Sequence, residues 1–459
     1  MLVALDGTVL IVAQPSLRRD LGASVAQVQW ASTGYLLAVA ALLVIAGRLG
    51  DRYGHPRLLF AGVLGFAAAS AGIALAPGAG WVIGLRAVQG VFGALLQPAT
   101  LALLRLAYPA DRLATPIAIR TSAIGVAAAA GPVLGGALVA HLGWRAVFVL
   151  NVPVAIAIAA LTLAVRVPAP SHTRSQRLDL TGAVLLAAAL TVLVDTLAGV
   201  PARGWTSAPT LLRLAAFAGV TAVLAAHERR TARPLVPPLV ARSASVRASL
   251  AILLVTTAGM FGALFVTTYF LQDLLRLDPL ASGLRVLPLT ALMMLGAPVA
   301  GAALRRYGPR RTAVAGTVLV ALGIAGLSRL GTGGTGGTGG MWAVGGVAFA
   351  VLGAGFATVM VTATGTVVGD APPRYAGVVG GLKQTAMNIG PTLGIAVAAG
   401  LMQLRSPAAA SSTLAMGPAL LVMAGLAALG LLPASLLPPR PARPGKDESP
   451  AGSGIRAAS

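Results

Sequence analysis

The chain has 459 residues, 57% hydrophobic and 10% charged, with a formal net charge of +22 and a mean hydropathy of +0.85. That composition excludes an ordinary soluble domain, and the lack of cysteine excludes disulfides, thiol catalysis and Cys-ligated metal. Nucleic acid is excluded as a partner too, because the arginines stand at the edges of apolar runs, as membrane-face anchors do, and not in a stripe interleaved with aromatics.

A helix that crosses ~30 Å of hydrocarbon needs roughly 20 apolar residues. Such runs predict fourteen spans, at 1–16, 30–49, 58–76, 81–104, 117–140, 146–166, 180–199, 209–227, 248–272, 282–304, 313–330, 341–363, 377–402 and 417–436. In the first, five residues precede Asp6, about 8 Å of helix. This predicts a span that is incomplete as written, through either a misassigned start codon or a truncated chain, and its flanks do not fit a cleavable signal peptide. Asp6 lies nine residues before Pro15, about 14 Å along a helix, so it is placed near the bilayer midplane as the clearest intramembrane acid.

Between the second and third spans, GRLGDRYGHPR (47–57) forms a very short connection carrying Gly47, Arg48, Asp51, Arg52, Gly54 and Arg57. Its carboxylate, at a membrane edge, can pair with arginine or face a helix N-terminus in another part of the molecule, which would latch one conformation. In the fourth span Arg86 lies inside the apolar run, followed by Gln89, Gly90, Gly93, Gln97 and Pro98. A cation in hydrocarbon costs at least about 2.5–3.5 kcal/mol, so Arg86 is expected to face a cavity or a partner. Gln89 and Gln97 become candidate cavity residues with it.

The fifth span carries Gly125, Gly131, Pro132, Gly135 and Gly136, and the thirteenth Gly390, Pro391 and Gly394. Small residues four apart permit close helix packing, and proline loosens the backbone ladder. Asp195 in the seventh span and Lys383 in the thirteenth are further intramembrane charges, each within about two turns of a span end, and Asp195 is carried as a candidate cavity residue. The run GTGGTGGTGG (331–340) reads as a slack loop, and 438–459 as a disordered tail. His55, His141, His172 and His227 form no metal-ligand spacing, and no phosphate-binding GxxxxGK[ST] occurs.

Two motifs repeat. GRLGDRYGHPRL at 47–58 matches GAALRRYGPRRT at 301–312, an offset of 254, and GPVLG at 131–135 matches GPTLG at 390–394, an offset of 259. A shared spacing argues for a duplicated bundle whose halves run in the same direction. In the second copy Arg305 replaces Asp51, so only one half holds the latch carboxylate. Arginine-rich loops after the even-numbered spans put both termini in the cytoplasm.

Together LDGTVLIVAQP (5–15), WASTGYLL (30–37), GRLGDRYGHPR (47–57), LRAVQGVFGALLQPA (85–99), GPVLGGAL (131–138), WRAVFVLNVP (144–153) and LQDLLRLDPLASGLRVLP (271–288) resemble the major facilitator superfamily, in its 14-helix drug:proton antiporter branch. The resemblance implies an all-α integral membrane protein. Its expected parts are a six-helix bundle (1–166), two inserted helices with a loop (167–247), a second six-helix bundle (248–437) and the tail (438–459). It implies that Asp6 and Arg86 face the central cavity and couple to protons. The loop at 47–57 would then be a conformational latch, and Gly131 to Gly136 an exporter motif. The expected function is efflux of hydrophobic or cationic drugs by a monomer in the plasma membrane, in exchange for protons. No cofactor, metal or enzymatic activity is expected. A metabolite transporter or a dedicated exporter of an endogenous antibiotic is the alternative, and a receptor or scaffold a more distant one.

Overall fold

The computed structural model describes residues 2–109, 112–164, 179–231, 234–277, 279–331, 337–403 and 416–439. Every regular element among them is helical: α1 Leu2–Asp20, α2 Val25–Tyr53, α3 His55–Ala74, α4 Ala79–Ala107, α5 Ala114–Leu142, α6 Arg145–Ala164, α7 Leu180–Arg203, α8 Ala208–Arg230, the short α9 Pro238–Arg242, α10 Ala244–Tyr269, α11 Pro279–Tyr307, α12 Pro309–Leu327, α13 Gly337–Asp370, α14 Ala376–Gln403, α15 Met416–Ala428 and the short α16 Leu431–Ser435. Twelve helices among the described residues are long and apolar enough to cross a membrane. The backbone polar groups of such helices are satisfied within each helix, which hydrocarbon requires.

Local chemistry sets several boundaries. Ser24 and Gln27 form a reciprocal capping box at the start of α2, and the carboxylate of Asp179 caps α7. The α2–α3 and α11–α12 junctions turn on Gly54 (φ 96°) and Gly308 (φ 81°), each followed by a helix with proline in its first turn. Only glycine enters this backbone region without strain, so the two copies of the loop motif share one turn. Several boundaries differ from the sequence reading, three of them in kind. Helix α1 continues through Pro15 to Asp20, because proline at depth is accommodated by neighbouring helices. The expected slack loop at 331–340 is helical from Gly337 onward, with 332–336 outside the described residues. The last span is broken between Ala428 and Leu431. The tail beyond Pro439 lies outside the described residues.

Two sets of helices, α1 to α6 and α10 to α15, are distinguished by their position in the chain. Helices α1 to α6 contact one another through α1–α5, α2–α4, α3–α4 and α3–α6, and α10 to α15 through α10–α14, α11–α13, α12–α13 and α10–α15. Between the sets run α2–α14, α4–α14 and α5–α11 contacts. The glycine motifs do equivalent work in each set. A Cβ on Gly135 of α5 would collide with Val9 of α1, and one on Gly394 of α14 with Ala258 of α10. Helix α8 packs mainly on α7 and buries almost none of its residues, which suits a surface against lipid.

Candidate functional site

Helices α1, α2, α3, α4 and α6 converge on a buried polar cluster. Apolar residues hold it in place: Val9, Leu10, Ala13 and Leu17 of α1 pack with Ala31, Ile73, Val82, Trp144 and Phe148. Within this setting Arg86 Nη1 donates to Asp6 Oδ2 at 2.7 Å and to Gln89 Oε1 at 2.6 Å, and Arg86 Nε donates to the Ala31 carbonyl at 3.3 Å. Asn151 Nδ2 donates to Asp6 Oδ1 at 2.8 Å, and Gln89 Nε2 donates to Asp6 Oδ1 at 3.4 Å and Ser70 Oγ at 2.7 Å. Asp6 and Arg86 are each 1% exposed. The guanidinium also lies 4.2 Å from the centre of the Tyr35 ring, a cation–π contact that desolvation strengthens.

The energetics of this cluster are one-sided. Two charges withdrawn from water are tolerable only with good geometry and further hydrogen bonds, and Asp6 has three donors. One carboxylate thereby gathers side chains of α4 and α6 onto α1. Sequence reasoning brought out Asp6, Arg86 and Gln89 but missed Ser70, Tyr35 and Asn151. Asn151 carried a legible signal, as a lone amide within the apolar run VFVLNVPVAIAI.

A second polar cluster joins the two sets of helices. Asp51, near the end of α2, accepts from the backbone N–H groups of Gly377 (2.8 Å) and Val378 (3.1 Å) in the first turn of α14. His55 Nε2 lies 3.0 Å from the same carboxylate. The carboxylate thus faces a helix N-terminus, where unsatisfied donors and the helix dipole favour an anion. Gly47 and Gly377 bring the two backbones into direct contact, and a Cβ on Gly381 would lie 2.6 Å from the Leu43 carbonyl. Arg48 donates to the Pro234 carbonyl, Arg52 lies over the Tyr53 ring, and Arg57 is exposed. At the repeat-related position Arg305 donates to Thr115 Oγ1 in the first turn of α5. Both loop copies thus dock on the start of a helix in the other set, but with opposite charge.

The remaining candidates are dispersed. Asp195 forms a half-exposed ion pair with Arg213 of α8 at 3.5 Å, which places it on the α7–α8 contact. Exposed pairs contribute only about 0–1 kcal/mol, so Asp195→Asn is expected to leave transport rates within about twofold of wild type, measured in reconstituted vesicles. Gln97 is half-buried on α4. Gly125 lies against Met294 of α11, Gly136 faces open space and Gly131 is buried. The side chain of Pro132 is outside the described residues. No group of three or more potential metal ligands occurs among the described residues.

Residues 1–395 match the model of the Major Facilitator Superfamily. The chain is 41% identical over 405 residues to the tetracenomycin C resistance and export protein of Streptomyces glaucescens, covering 88% of this chain and 74% of that one. It is 34% identical over 402 residues to a probable actinorhodin transporter of Streptomyces coelicolor, covering 86% and 69%. Among solved structures, the human organic anion transporter MFSD10 superimposes with a TM-score of 0.61 at 16% identity, covering 94% of this chain and 98% of that one. The shared helical fold, the family match over most of the sequence and these relatives lead to one conclusion: the chain belongs to the Major Facilitator Superfamily and is a multi-pass membrane transporter, not an enzyme.

Proposed function

We propose that this transporter exports lipophilic drugs or antibiotics in exchange for protons, by alternating access between two six-helix bundles. In this reading α1 to α6 form one bundle and α10 to α15 the other. Helices α7 and α8 are the inserted pair, which brings the number of membrane spans to fourteen. Both termini lie in the cytoplasm of a plasma-membrane protein acting as a single chain. The face joined by Asp51 and the α14 N-terminus is then cytoplasmic, and the conformation described is closed there.

The observation that carries the proposal is the Asp6 carboxylate held by Arg86 and Asn151 in a desolvated core. A buried ion pair is costly to break on one side. Changing the proton occupancy of Asp6 therefore changes which packing of α1, α4 and α6 is favoured. The proton gradient supplies the energy, and no cofactor enters. The relative named for resistance to and export of tetracenomycin C also favours the narrower reading of an exporter dedicated to one compound. The test is purified protein in vesicles carrying an imposed pH gradient and a pH-sensitive dye, challenged with a panel of antibiotics. Substrate-dependent collapse of the gradient is the expected result, and collapse with no compound would refute the proposal. Response to one compound alone would select the dedicated exporter.

A further inference from the structure

Resting on that reading of an exporter, a cluster apart from the Asp6 network speaks to the substrate. The chain has only two lysines, Lys383 and Lys446, among 34 basic residues. Lys383 is 1% exposed. It lies seven residues into α14, and Arg120 lies six residues into α5. Both helices start at the face closed by Asp51, so the two cations sit at the same depth, about 10 Å in.

They also share a direction. Val379, one turn before Lys383, packs in one apolar cluster with Leu113 and Ile117, which precede Arg120 by seven and three residues on α5. Each cation is therefore one turn deeper than its helix's contribution to that cluster, and the two repel each other electrostatically. Helix α13 arrives from the opposite direction. Thr364, six residues before its end at Asp370, is 1% exposed, and its hydroxyl has no partner among the described residues. Gly365 beside it faces Ile117.

No acid compensates this pair among the described residues. Asp6 is committed to Arg86, Asp51 to the α14 N-terminus, Asp179 to His227, Asp195 to Arg213, and Glu228 to the amides of Leu235 and Val236. Asp20 and Asp370 are exposed. Two like charges with a buried hydroxyl and no counter-ion are costly in a low-dielectric interior, and a bound anion removes that cost. We propose that Arg120, Lys383 and Thr364 form a subsite for the ionised acidic group, a carboxylate or phenolate, of a lipophilic substrate. Arg120 supplies a planar fork, Lys383 a point charge and Thr364 a hydroxyl donor. The cations come from opposite sets of helices, so the bound anion replaces repulsion between the halves by attraction to both. This narrows the expected hydrophobic or cationic drugs to hydrophobic acids.

The test uses 1-pyrenebutyrate, its neutral methyl ester and the cation 1-pyrenemethylamine. Binding to detergent-purified full-length protein is read by fluorescence anisotropy, and accumulation in vesicles under a pH gradient is read in parallel. Wild type should bind the acid at least about tenfold tighter than the ester or amine. Arg120→Gln and Lys383→Gln should each reduce the acid-to-ester ratio by at least about tenfold, Lys383→Arg should keep it, and exposed Arg311→Gln should not change it. Should the Gln variants misfold, wild type still decides: pyrenebutyrate, but not its ester, should protect Lys383 from reductive methylation, followed by mass spectrometry. Equal binding of acid and amine, an unchanged ratio in both Gln variants, or no protection overturns the subsite. Acid-selective binding without gradient-driven accumulation would leave the subsite standing and refute the proton-coupled exporter.

Discussion

Asp6→Asn is expected to reduce net proton-driven transport by roughly a hundredfold or more, while substrate-for-substrate exchange across vesicles continues. Asparagine keeps the shape of the side chain and its contact with Arg86 but cannot change charge, so it separates carrying a proton from holding the helices together. It also leaves the Arg86 guanidinium, 1% exposed, without its counter-ion. Breaking one side of a buried pair costs about 3–5 kcal/mol, which should register as a lower melting temperature. Adding Arg86→Gln should recover much of that stability without recovering proton-driven transport. Gradient-driven efflux at wild-type rate in Asp6→Asn would rule out this carboxylate as the coupling group.

The second large effect concerns the latch. Asp51→Asn retains an acceptor oxygen for one of the two N–H groups of Gly377 and Val378 but loses the charge facing the α14 N-terminus. Hydrogen bonds to a charged group contribute about 1.5–3 kcal/mol, and the helix terminus adds about 0.3–1 kcal/mol. The variant should therefore open the α2–α3 face at least about tenfold more often. The chain contains no cysteine, so a single introduced thiol reports without background. Val379, fully buried between the two sets of helices on that side, is a suitable site. Val379→Cys should react with a water-soluble maleimide at least about tenfold faster when Asp51→Asn is present. An unchanged rate would show that the carboxylate does not hold this face shut.

Much of the architecture was legible because hydrocarbon imposes a simple rule: long apolar runs become helices, and the runs around Phe66 or Phe349 could become little else. Asp6 and Arg86 stood out because isolated charges in such runs are costly, so each announces a partner. That each is the other's partner was not readable, since 80 residues separate them and only the three-dimensional crossing of α1 and α4 joins them. Asp195 shows a different outcome: the same signal marked it, and its partner is a half-exposed arginine on α8. Arg120 was passed over because the fifth span was read for its glycines, and its significance rests on Lys383 of another helix at the same depth. The Gly337 end of the glycine run was misread because glycine's weak helix propensity says little about a segment at the mouth of a long, packed helix.

Helix α7 lies against both α2 and α14. Leu186 meets Val44 of α2 and Val378 of α14 in a single cluster near the latched face. Farther along, Leu197 and Val200 pack with Ala396 of α14, and the Trp205 indole that follows α7 donates to the Ala396 carbonyl at 3.1 Å. A shared apolar surface with an added indole anchor resists sliding more than an apolar contact alone. Helices α7 and α14 would then travel as one body, and α2 would glide across them. In the proposed alternating-access cycle α7 would serve as a rail, letting the halves tilt about the seam but not part sideways, and lipid would be kept out of the cleft.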